Sequence, residues 1–186
     1  MTLSASQLNE ALRLTGDRLA QGDEGRRVRL YVVGGTAGLL SGWLAASRST
    51  GDVDVTRAEP NESWEAVRRA AVEVAKVLEL PETWLNNECS VYAWCLPLGW
   101  EERCECVRTY GPLEVWRIGR QDFIAAKVVS APNRPQDLED LIAIGPSTGE
   151  LDFTADHLDR LECESLDPDQ TFEDARAILE SLQGGL

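Results

Sequence analysis

No stretch of this chain comes near the roughly 18 to 20 uncharged apolar residues that a membrane span needs, so no membrane-spanning segment is expected. The first residues, Met-Thr-Leu-Ser-Ala-Ser-Gln, lack the basic-then-apolar pattern of a secretory signal, and a cytoplasmic location is the expectation. Five cysteines are present, Cys89, Cys95, Cys104, Cys106 and Cys163. An odd count without a secretory signal argues against a disulfide framework. No Cys-x-x-Cys pair occurs, and the spacing matches no familiar zinc module. Cys104 and Cys106 stand two apart in a strand-like run, a spacing that points both thiols to one face. As metal ligands they would need Cys89, Cys95 or the lone His157 to complete a site; buried, reduced thiols are the favoured expectation. Internal repeats and low-complexity segments are absent as well.

Positive charge is also scarce. Eighteen Lys and Arg face 32 Asp and Glu, a net charge of −14. The deficit is uneven: residues 145–186 hold eleven acids and two arginines, a net of −9, which leaves −5 for residues 1–144. A surface of this sign repels phosphate backbones, so non-specific DNA or RNA binding is not expected. The first 144 residues remain able to present a local basic patch to a particular RNA. The acidic C-terminal part is expected to be a solvated helical face.

What is present fits one ordinary domain with an appendage. At 186 residues, 43% hydrophobic and 27% charged, the chain has the composition of a soluble globular protein able to bury a core. Ser4 or Ser6 can cap a first helix, with Leu8, Leu12 and Leu19 near helical spacing and Gly22 as its end. Leu30-Tyr31-Val32-Val33 is a short apolar run of strand type, closed by Gly34-Gly35. A small-residue helix is predicted over 36–46, and a second strand over Asp52-Val53-Asp54-Val55. Residues 62–79 form an amphipathic helix with Trp64, Val67, Ala71, Val74, Val77 and Leu78 on one side, stopped by Pro81. Thr83 to Glu88 reads as loop or short helix. Strand-like pieces follow at 103–109 and 113–118, with Gly111-Pro112 as the turn between them. Helices are predicted over 122–130 and from Gln136 to Gly145. Two more follow in the tail, capped by Thr154 and by Asp169 or Thr171. The order implies an α/β (α+β) domain, helices against a small mixed sheet, over residues 1–145, with an acidic helical tail over 146–186.

The chemistry-bearing residues lie between the first two strands. Side chains alternate across a strand, so Asp52 and Asp54 share one face while Val53 and Val55 share the other. Two carboxylates so placed repel each other unless a cation sits between them. Mg²⁺ or Mn²⁺ suits such a pair, because a hard cation takes oxygen ligands and keeps positions open for phosphate oxygens. Gly34-Gly35, directly before a helix, lets the backbone approach a phosphate closely and aims N–H groups at it. Arg48, Ser49 and Thr50, just before the acids, add guanidinium and hydroxyl groups for the same phosphates. Among the tryptophans, Trp64 is expected in the core. Trp84, Trp94, Trp100 and Trp116 surround the cleft in sequence and offer one ring for stacking on a base, although packing in the core or rim is the commoner fate of each.

Residues 30–55, from Leu-Tyr-Val-Val-Gly-Gly-Thr-Ala to Arg-Ser-Thr-Gly-Asp-Val-Asp-Val, resemble the signature of the DNA polymerase β-like nucleotidyltransferase superfamily. The nearest branches are similar to AbiEii-type toxin nucleotidyltransferases and the related DUF6036 family. A second matching segment lies downstream, Asp122-Phe-Ile-Ala-Ala-Lys127 followed by Arg134-Pro-Gln-Asp137-Leu-Glu-Asp140-Leu. The resemblance spans about residues 8–145. It implies a sheet of nucleotidyltransferase type, with Gly34, Gly35 and Ser49 holding an NTP triphosphate and Asp52 and Asp54 binding the metals. It also implies that Lys127 contacts a phosphate, with Asp137 or Asp140 orienting it or pairing with Arg134. By their residue types alone, Lys127 would be an exposed helix lysine and the two aspartates helix-start charges favoured by the dipole.

Two features depart from that pattern. Sixteen residues separate Gly35 from Asp52, more than in the tightest versions of the motif. The superfamily's third carboxylate has no clear counterpart: Glu105 and Glu114 both sit between apolar strand residues and are expected to face solvent. A missing third acid removes the usual group for activating an attacking hydroxyl. Two expectations follow. The first is a metal-dependent enzyme moving a nucleoside monophosphate from an NTP onto a specific RNA or protein acceptor, as a toxin with an antitoxin partner or a phage-defence component. The alternative is a catalytically degenerate protein on the same fold that binds a nucleotide or a partner.

Overall fold

Apolar spacing in the sequence becomes packed faces in the computed structural model, which describes residues 2–22, 26–165 and 172–185. In chain order the elements are β1 (Leu3–Ser4), α1 (Ala5–Gly22), β2 (Val28–Val32), α2 (Gly34–Ser41), β3 (Ser49–Thr50), β4 (Val53–Glu59), α3 (Trp64–Leu78), β5 (Leu85–Asn86), β6 (Glu105–Tyr110), β7 (Leu113–Arg117), α4 (Arg120–Ser130), α5 (Pro135–Ile144), α6 (Thr148–Glu164) and α7 (Glu173–Gln183). Short 3₁₀ turns cover Asn61–Ser63, Glu88–Cys95, Trp100–Arg103 and Ala131–Asn133. The mixed α/β architecture is the one expected: an open mixed sheet of five strands flanked by helices, with helices closing the chain. Among the described residues no helix is long and apolar enough to cross a membrane.

Packing divides the chain into two units. The first comprises Met1–Ala93 with Arg103–Ile118, and the second Trp94–Glu102 with Gly119–Leu186.

In the first unit the sheet runs β5-β4-β2-β7-β6. β2 pairs antiparallel with β4 and parallel with β7, β4 pairs parallel with β5, and β6 and β7 form a hairpin. Leu30, Val32, Val53, Val55, Leu113 and Val115 are fully buried on these strands, the period-2 pattern of a sheet with one covered face. α1 and α3 supply apolar stripes to this core. On α1 the buried positions are Leu8, Ala11, Leu12, Thr15 and Gly16, and on α3 they are Val67, Ala70, Ala71, Val74 and Ala75. Both sets follow helical i, i+3, i+4 spacing. Trp84 is 1% exposed, and its indole N–H donates to the Ala71 carbonyl at 2.9 Å, tying the β5 approach to α3. The other sheet face carries Arg29, Tyr31, Arg57, Glu59, Glu114 and Trp116. There the guanidinium of Arg29 lies 5.0 Å over the Trp116 ring, and the Tyr31 hydroxyl donates to Glu59 at 2.9 Å. β6 forms one sheet edge; its side chains are mostly exposed and its pairing is interrupted by a bulge between Cys106 and Arg108.

Several local expectations are corrected. The helix after Gly34-Gly35 spans Gly34–Ser41 rather than 36–46, because Gly42 takes a left-handed φ of 69° and ends it. Val77 is 60% exposed; the buried stripe of α3 runs through Ala70 and Ala75, which places Val77 on the outer side. Residues 85–86 are a strand. Cys104 is buried and Cys106 exposed, so the two thiols do not share a face, and Cys104 alone of the five is buried. The first tail helix starts at Ser147, whose side chain forms a capping box with Glu150. Thr154 sits mid-helix, where its hydroxyl donates to the Glu150 carbonyl. Asp169 and Thr171 lie outside the described residues.

In the second unit α4, α5, α6 and α7 pack together, and α6 holds the Trp94–Glu102 segment. His157 Nε2 meets the Cys95 carbonyl at 2.8 Å and Arg160 donates to the Leu96 carbonyl at 3.0 Å. A carbonyl only accepts, so Nε2 carries the proton; Nδ1 accepts from Arg160 at 3.3 Å.

Two predictions follow from these contacts. A Cβ on Gly16 would stand 2.3 Å from the Tyr110 carbonyl oxygen, so Gly16→Ala is expected to cost about 1–3 kcal/mol by overpacking, despite alanine's better helix propensity; urea denaturation measures it. Burial, followed by the Arg160 charge, outweighs the Cys95 bond and Glu164 and lowers the His157 pKa from 6.5 to about 4. The unfolded chain therefore binds this proton more readily, and the stability it reflects is complete above pH 6.5 and lost as pH falls through 4. Melting temperature between pH 7 and 4 should fall more steeply for the native protein than for His157→Gln.

Candidate functional site

β2 ends where α2 begins, and the junction lies beside the start of β4. The Val33 N–H donates to the Asp54 carbonyl at 3.1 Å, the last rung between the two strands. Gly34 takes a φ of 59°, and a Cβ built on it would lie 3.4 Å from Asp54 Oδ2. The left-handed backbone and the close carboxylate both favour glycine here. At Gly35 a Cβ would stand 2.8 Å from Thr50 Oγ1. Val33, at the N-cap of α2, makes no side-chain capping bond, so the first-turn N–H groups of this helix are not capped by that residue and form an anion-attracting end.

Two hydroxyls fix the approach to the acids. Thr36 Oγ1 and Thr50 Oγ1 both donate to the Asp52 carbonyl, at 3.0 and 3.1 Å. Arg48 donates to the Ser49 carbonyl at 2.7 Å, and Ser49 and Thr50 pair with Ser4 and Leu3. Thus Gly34, Gly35, Thr50, Asp52 and Asp54 are brought together, with Arg48 and Ser49 beside them along the chain. Val53 and Val55 are fully buried while Asp52 and Asp54 are half-buried, the alternation that puts both carboxylates on one face. Cys89 lies near enough to feel both: burial first, then the Asp54 charge, with a smaller part from Asp52, pushes its thiol up to about 12. The charges of Asp52 and Asp54 thus both bear on Cys89. Among the described residues no group of three or more His, Cys, Asp or Glu side chains is placed to hold a metal. A cation on this pair would complete its shell with water and phosphate oxygens, a donor set suited to Mg²⁺ or Mn²⁺.

Neither sequence candidate for a third carboxylate stands at that site. Glu114 is level with Arg29 and Glu59, while Asp54 is at the opposite end of the β2–β4 ladder. It is not the solvent-facing residue expected: its side chain is 12% exposed and is held by Arg27, Arg29 and the Trp116 indole. Glu105 does face solvent, in an ion pair with Arg117 at 3.0 Å. Of the tryptophans weighed for base stacking, Trp84 and Trp100 are buried and Trp116 lies under Arg29, which leaves Trp94, 52% exposed. Trp64 is half-buried. Sequence reasoning missed Thr36 and Asn86. The Asn86 amide donates to Asp52 Oδ2 at 3.3 Å; its only sequence signal is a strand too short to show periodicity.

Lys127, Asp137 and Asp140 form a separate cluster inside the helical unit. Lys127 is 5% exposed, and its Nζ donates to Asp137 at 2.5 Å and to Asp140 at 2.7 Å. Ser130 Oγ donates to the other Asp137 oxygen at 2.7 Å, and Arg134 stands 3.7 Å from it. The cluster ties α4 to α5. Lys127 is thus not the exposed helix lysine its residue type suggests.

With both clusters described, comparison with known proteins adds one finding. A family model described as "Nucleotidyltransferase of unknown function (DUF6036)" matches residues 12–170, and the chain belongs to that family. Neither a curated protein nor a solved structure matches it.

Removing one partner of a buried ion cluster leaves the others uncompensated, typically at about 3–5 kcal/mol. Lys127→Met is expected to lower unfolding stability by that amount, read as a reduced midpoint in urea, because Asp137 and Asp140 would lose their shared cation.

Proposed function

We propose that the protein is a metal-dependent nucleotidyltransferase that moves a nucleoside monophosphate from an NTP onto a specific RNA or protein acceptor. The observation that carries this reading is the approach of the Gly34-Gly35 turn to Asp54, with the α2 N-terminus and two carboxylates meeting at one end of the sheet. Family membership supports the transferase class.

In this reading the first-turn N–H groups of α2 and the close backbone at Gly34 and Gly35 receive the triphosphate. Asp52 and Asp54 hold Mg²⁺ or Mn²⁺, which would neutralise phosphate charge and align the reacting oxygens. An acceptor oxygen bonds to the α-phosphorus, the α–β bridging P–O bond breaks, pyrophosphate leaves and the acceptor gives up its proton. Thr36 and Thr50 keep the Asp52 backbone fixed through the transfer. The resemblance of the segment around Lys127 implies a phosphate contact for that lysine, while its buried ion pairs with Asp137 and Asp140 support a role in joining α4 to α5. A net charge of −14 favours a particular RNA end or a protein over bulk nucleic acid as acceptor. The resemblance to toxin nucleotidyltransferases extends the proposal to a toxin–antitoxin or phage-defence setting in the cytoplasm, where such transfer would disable the acceptor.

A second reading has its own support. Glu105 and Glu114 are both engaged in ion pairs away from Asp54, so the pair lacks a third acid among the sequence candidates. On this ground the same fold would bind a nucleotide or a partner without catalysis.

Incubation with Mg²⁺ or Mn²⁺ and each α-phosphate-labelled NTP, against total RNA and cell extract, separates the two. Label on a discrete RNA or protein band, lost in Asp52→Asn, is the expected outcome, and the variant should melt within a few degrees of the native protein. Nucleotide binding with no label transferred would select the second reading.

A further inference from the structure

We propose that Asn86 is a positioning residue for the two-carboxylate site, setting the direction in which Asp52 presents its oxygens. This rests on the reading of Asp52 and Asp54 as a cation and nucleotide site.

The geometry starts from the edge of the sheet. β5 pairs parallel with β4, with Val53 opposite Leu85 and Asp54 opposite Asn86. Val53 and Leu85 are both buried, at 0% and 2% exposure, which fixes the inner face. Asn86 therefore stands on the same outer face as the two aspartates, beside Asp54 in the ladder. Its amide has no freedom of orientation. The Glu88 backbone N–H, which can only donate, meets Asn86 Oδ1 at 3.0 Å. The oxygen is thereby assigned, and the NH₂ group faces Asp52 Oδ2 at 3.3 Å. The turn that follows β5 locks one end of the amide so that the other end holds a carboxylate.

Asp52 is gripped from two sides as a result. Thr36 and Thr50 hold its backbone carbonyl, and Asn86 engages one carboxylate oxygen. A carboxylate with one oxygen engaged by a neutral donor presents the other in a defined direction. Groups that orient a metal-binding carboxylate in this way typically change metal affinity about 10–100-fold when removed. A neutral amide also adds no third negative charge beside the two carboxylates.

The test uses Mn²⁺ alone, titrated against the full chain and followed by the electron paramagnetic resonance signal of free Mn²⁺. Asn86→Ala is expected to weaken Mn²⁺ binding about tenfold with little change in the metal-free melting temperature. Asn86→Asp keeps the acceptor for the Glu88 N–H but sets a carboxylate oxygen against Asp52. It should melt lower than the native protein without metal, and Mn²⁺ should raise its melting temperature more than it raises the native one. Asn86→Ala binding Mn²⁺ as tightly as the native protein would overturn the proposal. So would an Asn86→Asp variant indistinguishable from native in both conditions, since that would leave only the bond to Glu88 as the role of this side chain. If Asn86→Ala does not fold, Asn86→Asp decides. Asp52→Asn is measured alongside. If it too binds Mn²⁺ normally, the carboxylate pair is no cation site and both readings fall. If it loses Mn²⁺ while the Asn86 variants do not, the assignment of Asn86 alone falls.

Discussion

The bond from the Val33 N–H to the Asp54 carbonyl, at 3.1 Å, closes the antiparallel ladder of β2 and β4 where one strand has just ended and the other is beginning. Because the chain turns into α2 immediately after Val33, that rung sets the distance between a helix N-terminus and a strand of alternating acids. The glycines are consequences of it. With the two backbones this close, a side chain at position 34 would meet Asp54 and one at position 35 would meet Thr50. Thr36 is another consequence, since the first turn of α2 brings its hydroxyl within 3.0 Å of the Asp52 carbonyl.

Much of this was legible in the sequence because it rests on local periodicity. The spacing of Leu8 and Leu12, both buried on α1, and the alternation Asp52-Val53-Asp54-Val55 each name an element and its buried side. The Gly-Gly pair after an apolar run marked the strand-to-helix junction. Errors arose where tertiary contacts decide. Gly42 was free, by sequence, to continue the helix, yet its φ of 69° ends it. Val77 fits a helical stripe on paper but falls one step outside the face that α1 and the sheet cover. Ser147 was overlooked as a cap although Ser147-Thr-Gly-Glu150 has the spacing of a capping box. Asn86 was invisible, since a two-residue edge strand takes its identity from pairing with β4 rather than from its own pattern.

The matching family segment and the physical environment of Lys127 give different kinds of information. The match covers the segment that holds Lys127, Asp137 and Asp140; within the helical unit this lysine neutralises both carboxylates. A buried ammonium so paired gives geometric specificity more than net stability, because much of the attraction offsets lost hydration. Asp52 and Asp54 differ in burial: both are half-buried, on the face opposite the fully buried Val53 and Val55.

The outer edge of the sheet carries a consequence for the molecule's behaviour in crowded solution. An edge strand offers unpaired amides and carbonyls on which a second chain can add by continuing the ladder. β6 meets that hazard with charge and irregularity together. Glu105 and Arg108 project from it, the bulge between Cys106 and Arg108 breaks its spacing, and Arg108 and Tyr110 both reach Asn9 on α1. An incoming strand would have to bury those charges and match an uneven register, so strand addition and fibrillar self-association are disfavoured at this edge by its own side chains and backbone.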